Sequence, residues 1–169
     1  MAEKAIFTGK EVSFLKELEK QGVDYMIVGA AAAALQGAPI VTQDIDLWFR
    51  DLSDPGLRKA VAEIGGVIVP PIGRHPPMFA GGAVELFDIV LTMHGLGTFD
   101  EEIKNSILID LGGLRVRILS LDRIIKSKET VGRPKDVLTL PVLRDALATI
   151  KKKTAMKARR RRRSDIRGR

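Results

Sequence analysis

Asp44 and Asp46 stand two residues apart beside Ile45, Leu47, Trp48 and Phe49, and that juxtaposition narrows what this chain can fold into more than any other feature of it. In context, residues 25–49 (YMIVGAAAAALQGAPIVTQDIDLWF) read as an apolar strand, a tight turn at Gly29, a short alanine-rich helix ended by Gly37, and a second strand over 41–49 that carries both aspartates. Residues two apart on a strand point to the same face, which sets the two carboxylates side by side at about 6.5 Å along the strand. Like charges at the edge of an apolar strand repel each other and lose hydration, so they call for a compensating charge. A hard divalent cation such as Mg²⁺ suits oxygen donors of this kind. Val28-Gly29-Ala30 ends a strand and opens a helix, where free backbone N–H groups and the helix dipole favour an anion such as phosphate.

The charge is unevenly divided. Residues 151–169 hold 11 of the 28 Lys and Arg against one acid, Asp165, for a net +10, whereas residues 1–150 hold the other 17 against 20 acids, for a net −3. The expected organisation is therefore one domain over 1–150 and a basic tail over 151–169, KKKTAMKARRRRRSDIRGR, whose poverty in apolar residues reads as disorder. Such a segment is attracted to phosphate backbones without reading their sequence; RNA, tRNA included, is the favoured partner, with DNA, an anionic membrane surface or an acidic protein as the alternatives. No aromatic residue is interleaved to stack on bases. The absence of cysteine rules out disulfides and thiolate metal sites, in keeping with a cytoplasmic protein. The first residues, MAEKAIFTGKE, lack the apolar core of a signal peptide, and no apolar run approaches the roughly 20 residues of a membrane span, so no membrane partner is expected.

Along the chain, Thr8 and Glu11 have capping-box spacing before a helix over about 10–21. Asp54-Pro55 has the form of an N-cap and first-turn proline for a helix to about Ile64, which Gly65-Gly66 stops. Residues 67–69 form a short strand. Residues 70–82, with four prolines and three glycines, read as a loop that carries Arg74 and His75 and either borders a substrate site or is a surface excursion. In the strand over 83–91, Val84, Leu86, Asp88 and Val90 share one face, leaving Asp88 a lone carboxylate among apolar residues while Glu85 faces the other way. Thr98 and Glu101 form a second capping-box pair, for a helix to about Asn105. Gly112-Gly113 joins strands 107–111 and 114–119 as a two-residue hairpin. Ser120 caps a helix over about 121–130, and Gly132 and Pro134 separate it from a last helix over about 135–150. The order α β α β α β β α β β α α implies an α/β (α+β) fold, a small mixed sheet with flanking helices.

The succession of hydrophobic strand, Gly29-Ala30, Ala33, Gly37, Thr42, Asp44 and Asp46 resembles the minimal nucleotidyltransferase superfamily. Leu121-Asp122-Arg123-Ile124-Ile125, Lys128 and Gly132-Arg133-Pro134-Lys135-Asp136 are similar to the C-terminal signature of the branch that includes abortive-infection-type toxins and many uncharacterised proteins. The resemblance spans roughly residues 20–147. It implies that Asp44 and Asp46 hold Mg²⁺, two ions in all, with Asp88 as a third metal ligand or general base. It also implies that the turn at Gly29-Ala30, with Thr42 nearby, meets the phosphates of a nucleoside triphosphate, that Lys128 meets phosphate, and that Asp136 supports the site. Lys128 is otherwise a solvated helix residue, and Asp88 otherwise the partner of a basic side chain; Lys135 reads as solvated.

The expected reaction is transfer of a nucleoside monophosphate from Mg²⁺·NTP to a hydroxyl of RNA or protein. The turn departs from the superfamily pattern: Ala30 keeps its backbone N–H and offers no hydroxyl. That departure supports the rival expectation, a nucleotidyltransferase-fold binding protein acting as an antitoxin-like partner in a toxin–antitoxin pair or as an RNA-binding module. Neither a dinucleotide-binding G-x-G-x-x-G nor a G-x-x-x-x-G-K-[S/T] loop is present. His75 and His94 lack companions at metal-ligand spacing and read as loop residues, and none of the serines at 13, 53, 106, 120, 127 and 164 has the setting of an activated nucleophile.

Overall fold

The computed structural model describes Phe7 and residues 9–167, with side chains described through Arg160. Thr8, the expected cap of the first helix, lies outside the described residues. Helix α1 (Gly9–Lys20) leads to β1 (Tyr25–Val28), α2 (Gly29–Leu35) and β2 (Ile45–Phe49). Then come α3 (Pro55–Glu63), β3 (Val67–Val69), β4 (Met78–Ala80), β5 (Phe87–Val90), and α4 (Phe99–Glu102) extended by a 3₁₀ turn at Ile103–Asn105. The chain finishes with β6 (Ser106–Asp110), β7 (Arg115–Leu119), α5 (Leu121–Val131) and α6 (Pro134–Arg167).

Among the described residues five strands form one mixed sheet in the order β5-β2-β1-β7-β6, and β3 and β4 form a separate antiparallel pair. β1 runs antiparallel to β2 and parallel to β7, β2 runs parallel to β5, and β6 and β7 form a hairpin. The two central strands are the most apolar, and Met26, Ile27, Val28 and Leu47 are inaccessible to solvent. Ala31, Ala32 and Ala33 of α2 are also fully buried. Their short side chains let the helix lie close to the sheet, which brings its first turn down to the strand ends. On the other side Phe14 of α1 meets Phe87 and Phe79 edge-on, with ring centroids 4.9 and 5.5 Å apart.

Local signals work as their chemistry requires. Asp54 Oδ1 accepts from the Gly56 N–H at 2.7 Å, with Pro55 opening α3. Thr98 and Glu101 complete a reciprocal capping box. Gly112 and Gly113 both take positive φ, the conformation a tight hairpin needs. Ser120 occupies the N-cap of α5 without a side-chain bond. Gln36 does the work instead: its Oε1 accepts from the Leu121 N–H at 2.9 Å, and its Nε2 donates to the Ala32 and Leu119 carbonyls, tying the end of α2 to the start of α5.

Four boundaries differ from the sequence expectation. The second strand begins at Ile45 rather than 41, because Val41 is 97% exposed and Thr42 Oγ1 bonds to the Asp44 carbonyl at 3.0 Å, holding the segment before the strand in a turn. The strand expected over 83–91 is confined to Phe87–Val90. The Pro- and Gly-rich stretch 70–82 contains β4, which pairs with β3 in the register Val67↔Ala80 to Val69↔Met78. The last helix continues beyond residue 150 to Arg167, through the segment read from composition as disordered. Lys, Arg and Ala are good helix formers, and extending a helix already nucleated on the body adds one hydrogen bond per residue fixed.

Candidate active site

β2 and β5 run parallel with Asp46 in register with Asp88, and β1 lies on the other side of β2 with Val28 in register with Asp46. Two carboxylates therefore face each other across adjacent strands, and the residue that ends β1 sits beside one of them. Asp44 precedes β2 by one residue rather than lying on it, so strand alternation does not position it; the turn closed by Thr42 does. All three carboxylates line one cavity of about 450 Å³, along with Gly29, Ala30 and Thr42.

Gly29 is fixed by this geometry. Its φ is +63°, and a Cβ there would stand 2.0 Å from Asp46 Oδ2. Only glycine makes the left-handed turn while letting the carboxylate lie against the backbone. Burial pushes the Asp46 carboxyl up to about 6, and the Asp88 and Asp44 charges add to the rise while Lys128 and Lys135 oppose it. Asp88 is raised as well, by burial and by Asp44. Burial first, and neighbouring carboxylates second, thus hold Asp46 and Asp88 in an unfavourable charge state, the condition a bound cation relieves.

The basic part of the lining comes from the junction of α5 and α6. Lys128, Arg133 and Lys135 line the cavity there. Asp136, 1% exposed, lies beneath them: Lys128 Nζ reaches its Oδ1 at 2.6 Å and Arg133 Nε its Oδ2 at 2.7 Å. Burial would raise the Asp136 carboxyl, but the bonds from Lys128 and Arg133 outweigh it and hold the group below the ordinary range. Asp136 does not line the cavity; its oxygens fix the two cations that do.

The residues singled out in the sequence are thus gathered together, with Asp136 one layer behind. Other cavity residues were not, Arg133, Lys135 and His94 among them. Arg133 and Lys135 reach the wall because the α5–α6 turn folds back over the strand ends, and His94 because the connection after β5 passes the same opening. The only advance signal for the first two was their place beside Lys128 and Asp136; for His94 there was none. Arg74 and His75 sit at the far end of the β3–β4 excursion and do not line the cavity, so that stretch is a surface excursion.

Three carboxylates make an oxygen-rich donor set suited to a hard cation, with Met93 and His94 further along the same lining. Among the described residues, no three His, Asp or Glu side chains already converge as a closed set of metal ligands. Among the described residues no helix is long and apolar enough to cross a membrane.

No protein-family model matches the chain, and no curated protein matches it. Solved structures do. The crystal structure of ANT(2″)-Ia in complex with adenylyl-2″-tobramycin is similar at a TM-score of 0.58 and 19% identity, over 92% of this chain and 99% of that one. The solution structure of ANT(2″)-Ia gives a TM-score of 0.58 at 18% identity, over 93% and 92%. An antigenic nucleotidyltransferase-like protein from Paracoccidioides brasiliensis gives 0.51 at 19%, over 85% and 87%. The likeness runs through nearly the whole of this chain, which has the nucleotidyltransferase fold.

Proposed function

We propose that the chain transfers a nucleoside monophosphate from a nucleoside triphosphate to a hydroxyl group of RNA, releasing pyrophosphate. The observation that carries this reading is the division of one cavity into an acidic wall, Asp44, Asp46 and Asp88, and a basic wall, Lys128, Arg133 and Lys135, with the backbone of Gly29-Ala30 at its edge. A triphosphate needs cations on its oxygens, and an attacking hydroxyl needs an acceptor for its proton; the two walls supply one each.

Asp44 and Asp46 would hold Mg²⁺, with Asp88 as a third ligand or as the base. Bound there, the ion would neutralise the triphosphate and lower the pKa of the acceptor hydroxyl. Lys128, held in place by Asp136, meets phosphate oxygens as a point charge, and the N–H groups at Gly29-Ala30 donate to the outer phosphates. The acceptor oxygen forms a bond to the α-phosphorus, the bond from that phosphorus to the pyrophosphate oxygen breaks, and the acceptor proton passes to the Asp88 carboxylate. Positioning and charge neutralisation supply most of the rate in such transfers. The adenylyl-2″-tobramycin in the similar ANT(2″)-Ia structure is an example, in that protein, of a nucleotidyl group on an acceptor hydroxyl. Here the excess of positive charge on α6 disfavours a polycationic acceptor and favours a polyanion.

Calorimetric titration of each NTP with Mg²⁺ tests the site. Metal-dependent binding is expected, and its loss in Asp44→Asn/Asp46→Asn. Undiminished binding by that variant would overturn the assignment. A second reading rests on Ala30, which removes a side-chain hydroxyl from the turn: the chain binds Mg²⁺·NTP without turning it over. Binding with no transfer of labelled NMP to RNA or protein would select it.

A further inference from the structure

The helix that begins at the cavity is the one that ends in the basic segment. α6 carries Lys135 in its first turn, at the cavity wall, and runs as one helix to Arg167. Its early part is clamped to the body: Leu140, Leu143 and Ala146 are buried, and Arg144 Nη2 pairs with Glu129 of α5 at 2.6 Å. Lys153 is the last α6 side chain in the groove that this helix makes with Gln36, Gly37 and Pro39. From residue 154 to 160 every side chain is exposed.

We infer that the distal half of α6 is an RNA-docking arm set at a fixed distance from the cavity, so that one RNA strand bound along it presents its end to the acidic wall. At a helical rise of 1.5 Å, Lys151 lies about 24 Å from Lys135. That distance spans roughly seven nucleotides at about 3.4 Å per residue of strand. Lys151, Lys152 and Lys153 fall at successive steps of about 100° and face different directions. Lys157, Arg159 and Arg160 continue the pattern, with only Ala155, Met156 and Ala158 apolar between them. A membrane-lying helix needs one continuous apolar face, which this arm lacks. A polyanion that wraps the helix needs charge on several sides, which it has. The inference rests on the reading that an RNA hydroxyl is the acceptor, and its test is separable from that reading because it measures binding and position rather than transfer.

The chain has no cysteine, so Val41→Cys, at an exposed position next to Thr42, takes a single dye at the cavity edge. The full chain carrying this dye is titrated with single-stranded RNAs of 6 to 20 nucleotides bearing a 3′ acceptor dye. Expected are salt-dependent binding and energy transfer to the 3′ end that is strongest for one length class. Lys151→Gln/Lys152→Gln/Lys153→Gln should lower the slope of log affinity against log salt by about 2, at about 0.7 for each lost contact to a single strand. Insertion of four helix-forming residues after Ile150 should move the optimal length up by about two nucleotides, and a Gly-Gly-Ser-Gly insertion there should abolish the optimum while keeping affinity. Binding with no preferred length, an unchanged slope in the triple variant, or equal affinity for duplex DNA or anionic vesicles would overturn the inference. Asp44→Asn should leave the binding and the length optimum intact; loss of transfer in that variant reports on the cavity alone.

Discussion

Glu102 and Asp46 are both carboxylates withdrawn from water, and the fold treats them in opposite ways. Glu102, 2% exposed at the end of α4, is answered by the chain itself. Arg123 of α5 donates to both its oxygens, with Nε at 2.7 Å from Oε2, and the Gly97 N–H and the Asn105 amide add further bonds. The Arg123 bonds, against the opposing effect of burial, hold its carboxyl down at about 2. Asp46 is pushed up to about 6 by burial and shares its cavity with Asp88 and Asp44, while Lys128 is engaged by Asp136. A buried acid that serves the fold brings its own cation; Asp46 meets only the partial opposition of Lys128 and Lys135, without a hydrogen-bonded ion pair.

The sharpest way to break this contrast is to remove a charge from each region and compare what fails. Asp44→Asn should lower nucleotidyl transfer by about a thousandfold or more, the scale of losing a key electrostatic group, with the melting temperature nearly unchanged. Labelled-NMP transfer and thermal unfolding on the same sample read both. Glu102→Gln should do the reverse. It leaves Arg123 without its charge partner and costs about 3 kcal/mol of stability, measured by urea unfolding. Because its folded pKa lies below the unfolded value, Glu102 contributes fully above about 4.5, and that contribution fades as pH falls toward 2. The wild-type advantage over Glu102→Gln should therefore shrink in that window; a constant difference across it would show that the Arg123 charge pair is not its source. Gly29→Ala joins the two regions' themes. Its Cβ would overlap Asp46 Oδ2 in a left-handed turn, so it should lose about 2 kcal/mol and move the carboxylate as well, weakening Mg²⁺-dependent nucleotide binding by calorimetry.

How legible these regions were in the sequence follows from the kind of interaction that makes each. The acidic lining is legible because strand alternation leaves Asp88 a lone carboxylate in an apolar run, which calls either for a basic partner or for a cation. Strand alternation points to the neighbourhood of Asp44, but the Thr42 hydrogen bond to its carbonyl, not the strand, holds it. The Glu102–Arg123 pair was invisible: 21 residues separate its members, and only the packing of α4 against α5 joins them. Arg133, Lys135 and His94 reach the cavity through tertiary placement of turns, which no local pattern encodes. β4 was masked by the prolines and glycines around Met78–Ala80, and the reach of α6 by a charge density that composition alone reads as disorder.

The smallest expected effect tests the contrast most directly, because it concerns stability at the functional region. The Asp46 carboxyl titrates higher in the folded chain than in the unfolded one, so the folded state holds its proton through the window from about 3.8 to about 6. Stability then falls as pH rises through that window, and the full penalty is present above it. A shift of that size corresponds to about 3 kcal/mol for a fully enclosed group, and the half-buried position of Asp46 reduces it to about 1 kcal/mol. Asp46→Asn removes the charge and nearly keeps the shape. It should therefore be more stable than the natural chain by about 1 kcal/mol at pH 7.5 and equal to it at pH 3.5, by urea unfolding at both. A destabilised Asp46→Asn at pH 7.5 would mean that this carboxylate is satisfied within the fold as Glu102 is, and the distinction between the two regions would collapse. A stabilised, inactive variant would show the trade a functional charge imposes: the fold holds an ionised group in an unfavourable place because the reaction needs it there.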